Sequence, residues 1–316
     1  MCKVSILMSV YNDPLNYLKE SVESIIAQTF TDFECIIIQD NPGRDDVEPF
    51  IQGFNDPRFK VYKNEKNLGL ALSMNRAAGF ASANVFARMD ADDIADPRKL
   101  ELGYDAISKK NADVVFSNYE FIDGNSKIIE DRYKRVFKDG YVVSEDIAMT
   151  PNQIHHPTVM MRKSVFEKVG GYRNFPCAQD SDLWLRLQEN GAVFYSIAQP
   201  LLLYRINPQG TTQMKLFKQQ LTTHYIYSLS LERIQTGKDS YSIENYECFL
   251  DSHGLNSKWQ NKLFRFGWWC LTKAKSVVFP FNQILRLCAF VFVSHFRRYY
   301  LMARKKKRLL SKTANQ

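Results

Sequence analysis

Short apolar runs that alternate with helix-periodic segments constrain this chain more than any other feature. Val4 to Val10, Phe33 to Ile38, Phe59 to Tyr62, Val85 to Met89 and Asp113 to Asn118 each read as a strand of a sheet covered on both faces. The segments between them have helical spacing. Leu15, Leu18, Val22, Ile25, Ile26 and Thr29 recur at three- and four-residue intervals, Leu70 to Ala83 is Ala-rich, and Pro97 to Lys110 completes a third helix. Asn12 or Asp13 is expected to cap the first helix, with Pro14 in its first turn. Asn41-Pro42-Gly43 breaks the chain after the second strand. Such βα repetition implies an α/β fold with a mostly parallel central sheet and helices on both faces.

Beyond residue 120 the pattern loosens. Gly124 to Asn152 reads as a long connection, Pro157 to Met161 as a strand, Asp180 to Asn190 as a helix and Leu201 to Ile206 as an edge strand. From about Gln213 the chain is helical and rich in Leu, Phe, Tyr and Trp, which predicts a main domain over 1–212 and a helical region over 213–316. The overall charge of +8 conceals a division between the two. Residues 251–316 carry 14 Lys and Arg against the single acid Asp251, a net +13, and the first 250 residues carry −5. A basic tail on an acidic body seeks an anionic partner. The acidic main domain argues against nucleic acid as that partner. Six scattered cysteines without a Cys-x-x-Cys pair point away from a zinc site or disulfide framework and toward a reducing cytoplasm, and no signal peptide is expected at the N-terminus.

In an open parallel sheet, ligands bind beyond the carboxyl ends of the strands. Those ends carry Ser9, Tyr11 and Asn12 after the first strand, Asp40 after the second, and Asp90, Asp92 and Asp93 after the fourth. The run Arg88-Met89-Asp90-Ala91-Asp92-Asp93 supplies hard oxygen donors suited to Mg²⁺ or Mn²⁺, which would bridge the phosphates of a nucleotide. Its plainer reading is an acidic turn leading into the next helix. Asp40 either accepts from a bound nucleoside or steadies the Asn-Pro-Gly turn. Asp180 and Asp182, in Gln179-Asp-Ser-Asp-Leu-Trp-Leu-Arg186, suit helix capping on spacing alone, and a general base on chemistry. His155-His156-Pro157 fits a loop or an acceptor hydrogen bond better than a metal. Arg205 is either a diphosphate contact or a solvated strand-end charge. No Gly-x-Gly-x-x-Gly and no Gly-x-x-x-x-Gly-Lys follows a strand, which excludes the familiar dinucleotide and P-loop sites.

Taken in order, Val4-Ser-Ile-Leu-Met-Ser-Val-Tyr-Asn12, Gln28-Thr-Phe30, Phe33 to Ile38 with Asp40, Asn67-Leu-Gly69, Asn75-Arg-Ala77, Met89 to Asp93, His156-Pro157, Gly170-Gly-Tyr172 and Asp180 to Arg186 resemble family 2 of the inverting glycosyltransferases, bacterial surface-polysaccharide type, over about Val4 to Ile206. The resemblance implies a GT-A fold and transfer of a sugar from a nucleoside-diphosphate sugar, commonly UDP-linked, to a hydroxyl of a sugar or lipid-linked sugar. It implies Ser9, Tyr11, Asp40, Asn67 and Asp90 as donor-binding residues, Asp92 as the ligand of Mn or Mg, and Asp180 as the catalytic base. His156 and Arg205 are candidate acceptor or diphosphate contacts. Two positions depart from the family pattern. Gln179 stands where Glu usually precedes the base, which opens the alternative of a catalytically degenerate sugar-nucleotide-binding protein, and Gln39-Asp40-Asn41 lacks one acidic residue.

The tail combines Phe281, Ile284, Leu285, Leu287 and Phe290 to Val293 with Arg286, Arg297, Arg298 and the cluster Arg304-Lys-Lys-Lys-Arg308. An Arg near the centre of the apolar stretch disfavours a spanning helix. The pattern predicts either a helix lying in the interface of an anionic membrane or a cap on the main domain. The first places the protein on the inner face of the cell membrane.

Overall fold

A computed structural model describes residues 2–130, 136–143, 147, 153–206, 216–274, 281–292, 301 and 304–305. The chain divides into two compact units, Met1–Gly210 and Thr211–Gln316.

The first unit is built on one ten-stranded sheet, with strands β1 (Val4–Val10), β2 (Phe33–Gln39), β3 (Phe59–Lys63), β4 (Val85–Arg88), β5 (Ile94–Ala95), β6 (Val114–Ile122), β7 (Ile128–Ile129), β8 (Gly140–Tyr141), β9 (Met160–Arg162) and β10 (Phe194–Arg205). The order is β3-β2-β1-β4-β9-β6-β10-β5, with β7 beside β6 and β8 beside β10. β1 pairs in parallel with both β2 and β4, and β10 with β6, whereas β9 runs antiparallel between β4 and β6. The chain therefore steps outward from β1 through β2 to β3 and then returns to the other side of β1 as β4. That reversal is the switch point at which loops diverge and leave a crevice.

Period-two alternation explains the layers. Ile6 and Met8 of β1, with Cys35 and Ile37 of β2, face α1 (Leu15–Ile26), α2 (Val47–Gln52) and α4 (Lys99–Lys109) through Leu18, Val22, Ile25, Ile51, Leu100 and Ile107. Leu7, Ile36 and Ile38 point the other way, onto α3 (Leu70–Phe80) and α6 (Gln179–Glu189) through Met74, Ala77, Leu183, Trp184 and Leu187. A strand buried on both faces has no polar alternation, which is why these runs are mostly apolar, and the buried exceptions Ser5 and Glu34 are bonded to each other at 2.7 Å. α5 (Lys163–Lys168) is a short turn after β9. One helix sits unusually close to the sheet: a Cβ on Gly103 of α4 would overlap Met160 Sδ of β9.

Three local expectations need correction. Neither Asn12 nor Asp13 caps α1. Pro14 stands at its N-cap, and the Asp13 carboxylate instead accepts from the Tyr11 backbone N–H at 2.9 Å. Residues 201–206 are not an edge strand but the end of the long β10, flanked by β6 and by the two-residue β5. Residues 156–158 form a turn of 3₁₀ helix before the short β9, so a strand through Pro157 is replaced by one starting at Met160. A proline has no N–H to give to a ladder.

The second unit comprises α7 (Leu216–Thr236), α8 (Ile243–Ser252), α9 (Lys258–Lys273) and α10 (Phe281–Phe292). Ser242 and Ser257 cap α8 and α9 by accepting from Asn245 N and Gln260 N. Among the described residues no helix is long and apolar enough to cross a membrane. Residues 293–300 and 306–308 of the expected basic amphipathic tail lie outside the described residues.

Candidate active site

The carboxyl ends of β1, β2 and β4 meet at one rim. Arg44 Nη1 donates to the carbonyls of Tyr11 (3.2 Å) and Asp13 (2.9 Å), and Asn41 Nδ2 donates to Asn12 Oδ1 at 2.7 Å, so the loops after β1 and β2 are tied together. Ser9 is half-buried at the end of β1 and Tyr11 is exposed.

Asp40 is buried and well supplied with donors. Its Oδ1 accepts from Asn64 Nδ2 (2.7 Å) and Leu68 N (2.8 Å), and its Oδ2 from Gly69 N (2.9 Å). Asn67 Oδ1 shares the Gly69 N–H at 2.9 Å, and Gly69, at φ 79°, takes the backbone conformation glycine best supplies at the start of α3. Asp40 thus organises the Asn64–Gly69 loop, and only the outer lone pairs of its oxygens remain for a nucleoside.

The acidic loop after β4 is gripped from both ends. Arg88, 3% exposed, ion-pairs with Asp90, bonds the Met89 carbonyl, and donates from Nε to His156 Nδ1 at 3.3 Å. A guanidinium Nε–H can only donate, so His156 is neutral with its proton on Nε2, which then donates to Tyr172 Oη at 2.6 Å. Burial, with Arg88 and Lys99 nearby, holds the His156 imidazole well below its usual range. Lys99 donates to the carbonyls of Arg88 (2.8 Å) and Pro157 (2.6 Å), and burial pulls its ammonium down to about 7.

At the other end, the Arg205 backbone N–H donates to Asp93 Oδ1 at 2.8 Å. Its guanidinium reaches the Asp92 carbonyl (2.7 Å), the Asp123 carbonyl (3.0 Å), Ser126 Oγ (3.0 Å) and Glu20 Oε2 (2.5 Å). Both candidate contacts turn inward here: His156 and Arg205 are engaged with the protein itself, as braces for the acidic loop, and the Arg205 side chain has no exposed surface.

Asp92, Asp93 and Asp180 each feel the charge of Asp90. Burial followed by the charges of Asp90 and Asp13 raises Asp92 to about 7. Burial, Asp90 and Asp92 raise Asp93 well above its usual value. Asp180, in the first turn of α6, is raised by burial to about 6 despite a 2.7 Å bond from Ser181 N, and Asp90 adds to the rise while Arg88 opposes it. The Tyr204 phenol is pushed up by burial and then by Asp93, Asp90, Asp92 and Asp180, so one hydroxyl senses all four. The neighbouring Asp182 has a different fate. Fully buried, it accepts from Arg186 Nε at 2.8 Å, and Arg186 also ties the Val169 and Gly171 carbonyls. Neither acid caps α6, which starts from Ala178 in the left-handed conformation, φ 56°.

Among the described residues no group of three or more His, Cys, Asp or Glu side chains is gathered to hold a metal, and Asp92 is the acid the sequence offers as a cation ligand. Asp92 offers a hard oxygen in a place where Asp13 and Asp90 repel its ionised form, and added positive charge relieves that repulsion. Asp13, Arg88, Tyr172 and Tyr204 also carry the electrostatics of this site, a role the sequence reading gave to none of them, having named Asp13 only as a helix cap. Arg88 and Tyr172 stand within the motifs around Asp90 and Gly170-Gly171, and that membership was the available signal.

The comparisons agree with this geometry. The glycosyl transferase family 2 model matches residues 5–170. An uncharacterised glycosyltransferase of Methanocaldococcus jannaschii is 35% identical over 231 residues, covering 70% of this chain and 77% of the relative. The O-antigen biosynthesis glycosyltransferase WbnJ of Escherichia coli is 29% identical over 217 residues, 67% of this chain and 83% of the relative. Among solved structures, Staphylococcus aureus TarS 1–349 in complex with UDP-GlcNAc superposes with a TM-score of 0.63 over 96% of this chain and 92% of that one, at 15% identity, a likeness of fold. With its GT-A architecture, its acidic loop at the switch point and these relatives, the chain belongs to glycosyl transferase family 2.

Proposed function

We propose that this glycosyltransferase moves a sugar from a UDP-sugar to a hydroxyl of a sugar or lipid-linked sugar acceptor, inverting the anomeric carbon in a single displacement, during surface-polysaccharide or glycoconjugate synthesis. The observation that supports this reading is that the loops after β1 and β2 are bonded together through Arg44 and Asn41 at the rim where β4 delivers Asp90 and Asp92, and that the charge of Asp90 acts on both Asp92 and Asp180. WbnJ, named for O-antigen synthesis, and TarS, solved with UDP-GlcNAc, support the substrate class.

In this reading Ser9, Tyr11 and Asn67 line the nucleoside, Asp40 shapes the loop beneath it, and Asp90 faces the ribose or sugar. Asp92 would hold Mg²⁺ or Mn²⁺, which when bound supplies positive charge to the departing diphosphate. Asp180 takes the proton from the acceptor hydroxyl as that oxygen attacks. A carboxyl raised to about 6 is ionised at neutral pH yet basic enough for the task, which favours an active enzyme over a degenerate binding protein despite Gln179. Arg88, braced by His156, keeps Asp90 paired and fixed. The acceptor side is read as the inner face of the cell membrane.

The test is a screen of UDP-, GDP- and dTDP-sugars for Mn²⁺-dependent nucleotide release and thermal stabilisation. UDP-sugars should give both signals. Stabilisation by GDP- or dTDP-sugars alone would overturn the donor assignment, and binding without turnover across acceptors would favour the degenerate reading.

A further inference from the structure

Helix α9 presents two unlike faces. Phe264, Gly267 and Cys270 are buried along one side. The opposite side holds Lys258, Trp259, Lys262, Arg265, Phe266, Trp269 and Lys273, all exposed. Its three aromatic residues are uncovered to 65%, 45% and 52% (Trp259, Phe266 and Trp269). At 100° per residue these seven fall within about one third of the helix circumference. Cations and aromatics are thus interleaved on a single strip, with no acid in it or anywhere from Ser252 to Gln316. α10 packs beside α9 and adds exposed Phe281, Ile284, Arg286 and Leu287.

Large exposed aromatics on a water-facing helix are unfavourable unless something covers them. A second copy of this chain would set cation against cation. An anionic lipid surface matches both halves of the strip, since indole and phenyl rings settle at the headgroup level while Lys and Arg meet phosphate. We propose that the outer face of α9 is a docking surface for anionic phospholipid. This extends the membrane-side reading of the acceptor given above, but moves the contact upstream of the 281–308 segment that the sequence singles out. With α9 flat on the headgroups, the second unit holds the enzyme where a lipid-linked acceptor resides.

The experiment uses the full chain and vesicles of phosphatidylcholine with or without phosphatidylglycerol. Flotation should recover the protein only with phosphatidylglycerol, and raised salt should release it. Tryptophan emission should shift to the blue on binding as Trp259 and Trp269 leave water. A Lys262→Glu/Arg265→Glu double substitution should weaken binding at least tenfold, roughly, as should Trp259→Ser/Phe266→Ser/Trp269→Ser, with the helical circular dichroism retained. Salt-insensitive binding of the wild-type chain, equal binding to both vesicle types, unchanged binding by folded variants, or preference for a single-stranded oligonucleotide over phosphatidylglycerol would each overturn the proposal. The salt and lipid dependence of the wild type decides the matter even if a variant misfolds. None of these readouts depends on sugar transfer, so failure of the donor assignment leaves them intact.

Discussion

The Arg205 guanidinium lies 2.5 Å from the Glu20 carboxylate, joining the end of β10 to α1 across the base of the acidic loop. Arg205 also bonds the Asp92 carbonyl, and its backbone fixes Asp93, so one buried residue sets the shape of the acidic loop.

Arg205→Gln should therefore destabilise the fold by about 3 kcal/mol or more, because it strands Glu20 and several polar groups at once. Chemical denaturation will read the loss. The affinity for nucleotide should fall with it, even though Arg205 does not face the nucleotide.

Asp92→Asn should separate stability from function. A carboxyl raised from its ordinary range to about 7 favours the protonated folded state. Its penalty is absent below the unfolded value near 4, grows through that window, and is complete above 7, so the wild-type apoprotein loses stability as pH rises from about 4 to 7. The amide variant escapes the penalty and should melt higher at pH 7.5 by roughly 2–4 °C for each kcal/mol relieved. In the same scan it should lose Mn²⁺-dependent stabilisation by nucleotide.

Asp180→Asn should bind donor normally while turnover drops by about 10²–10⁴-fold, the usual worth of a positioned base. In the wild-type enzyme the acidic limb of the pH–rate profile should centre near 6, where burial has brought this carboxyl. Activity should fall as pH drops through that value. Retained full activity in the variant would remove Asp180 from the mechanism.

His156→Ala should cost about 1–3 kcal/mol by leaving Arg88 Nε and the Tyr172 hydroxyl without their shared partner. Donor affinity should weaken in step, as Arg88 is freed to shift against Asp90. Because His156 is neutral throughout the working range, no pH dependence near 6.5 should disappear with it, and comparing the two pH–rate profiles checks this.

The sheet and its layers were legible because burial on both faces leaves short, mostly apolar runs, as in Val4–Val10 and Phe33–Gln39. The acidic loop was legible because Asp90, Asp92 and Asp93 follow such a run directly. The sequence left Arg205 open between a diphosphate contact and a solvated charge, and its role as a buried brace was hidden for a physical reason. Its partners Glu20, Asp92, Asp123 and Ser126 lie 79 to 185 residues away, and no local pattern reveals them. The same limit hid the pairing of residues 94–95 with β10, which turned an expected edge into sheet interior. For Asp40 the sequence left a nucleoside contact and the Asn41-Pro42-Gly43 turn open, and neither reading foresaw the amides of Leu68 and Gly69, which belong to the next βα unit.

Gly103 carries no side chain, yet it governs how deeply α4 can sink toward Met160. Lys99 stands one turn earlier on that helix, holding the Arg88 and Pro157 carbonyls. Even a methyl group at position 103 would lift this lever and slacken the strut behind the catalytic rim. A site defined by its acids is thus hostage to a position with nothing to offer chemically, and tolerance for change there should be lower than at many residues lining the cleft.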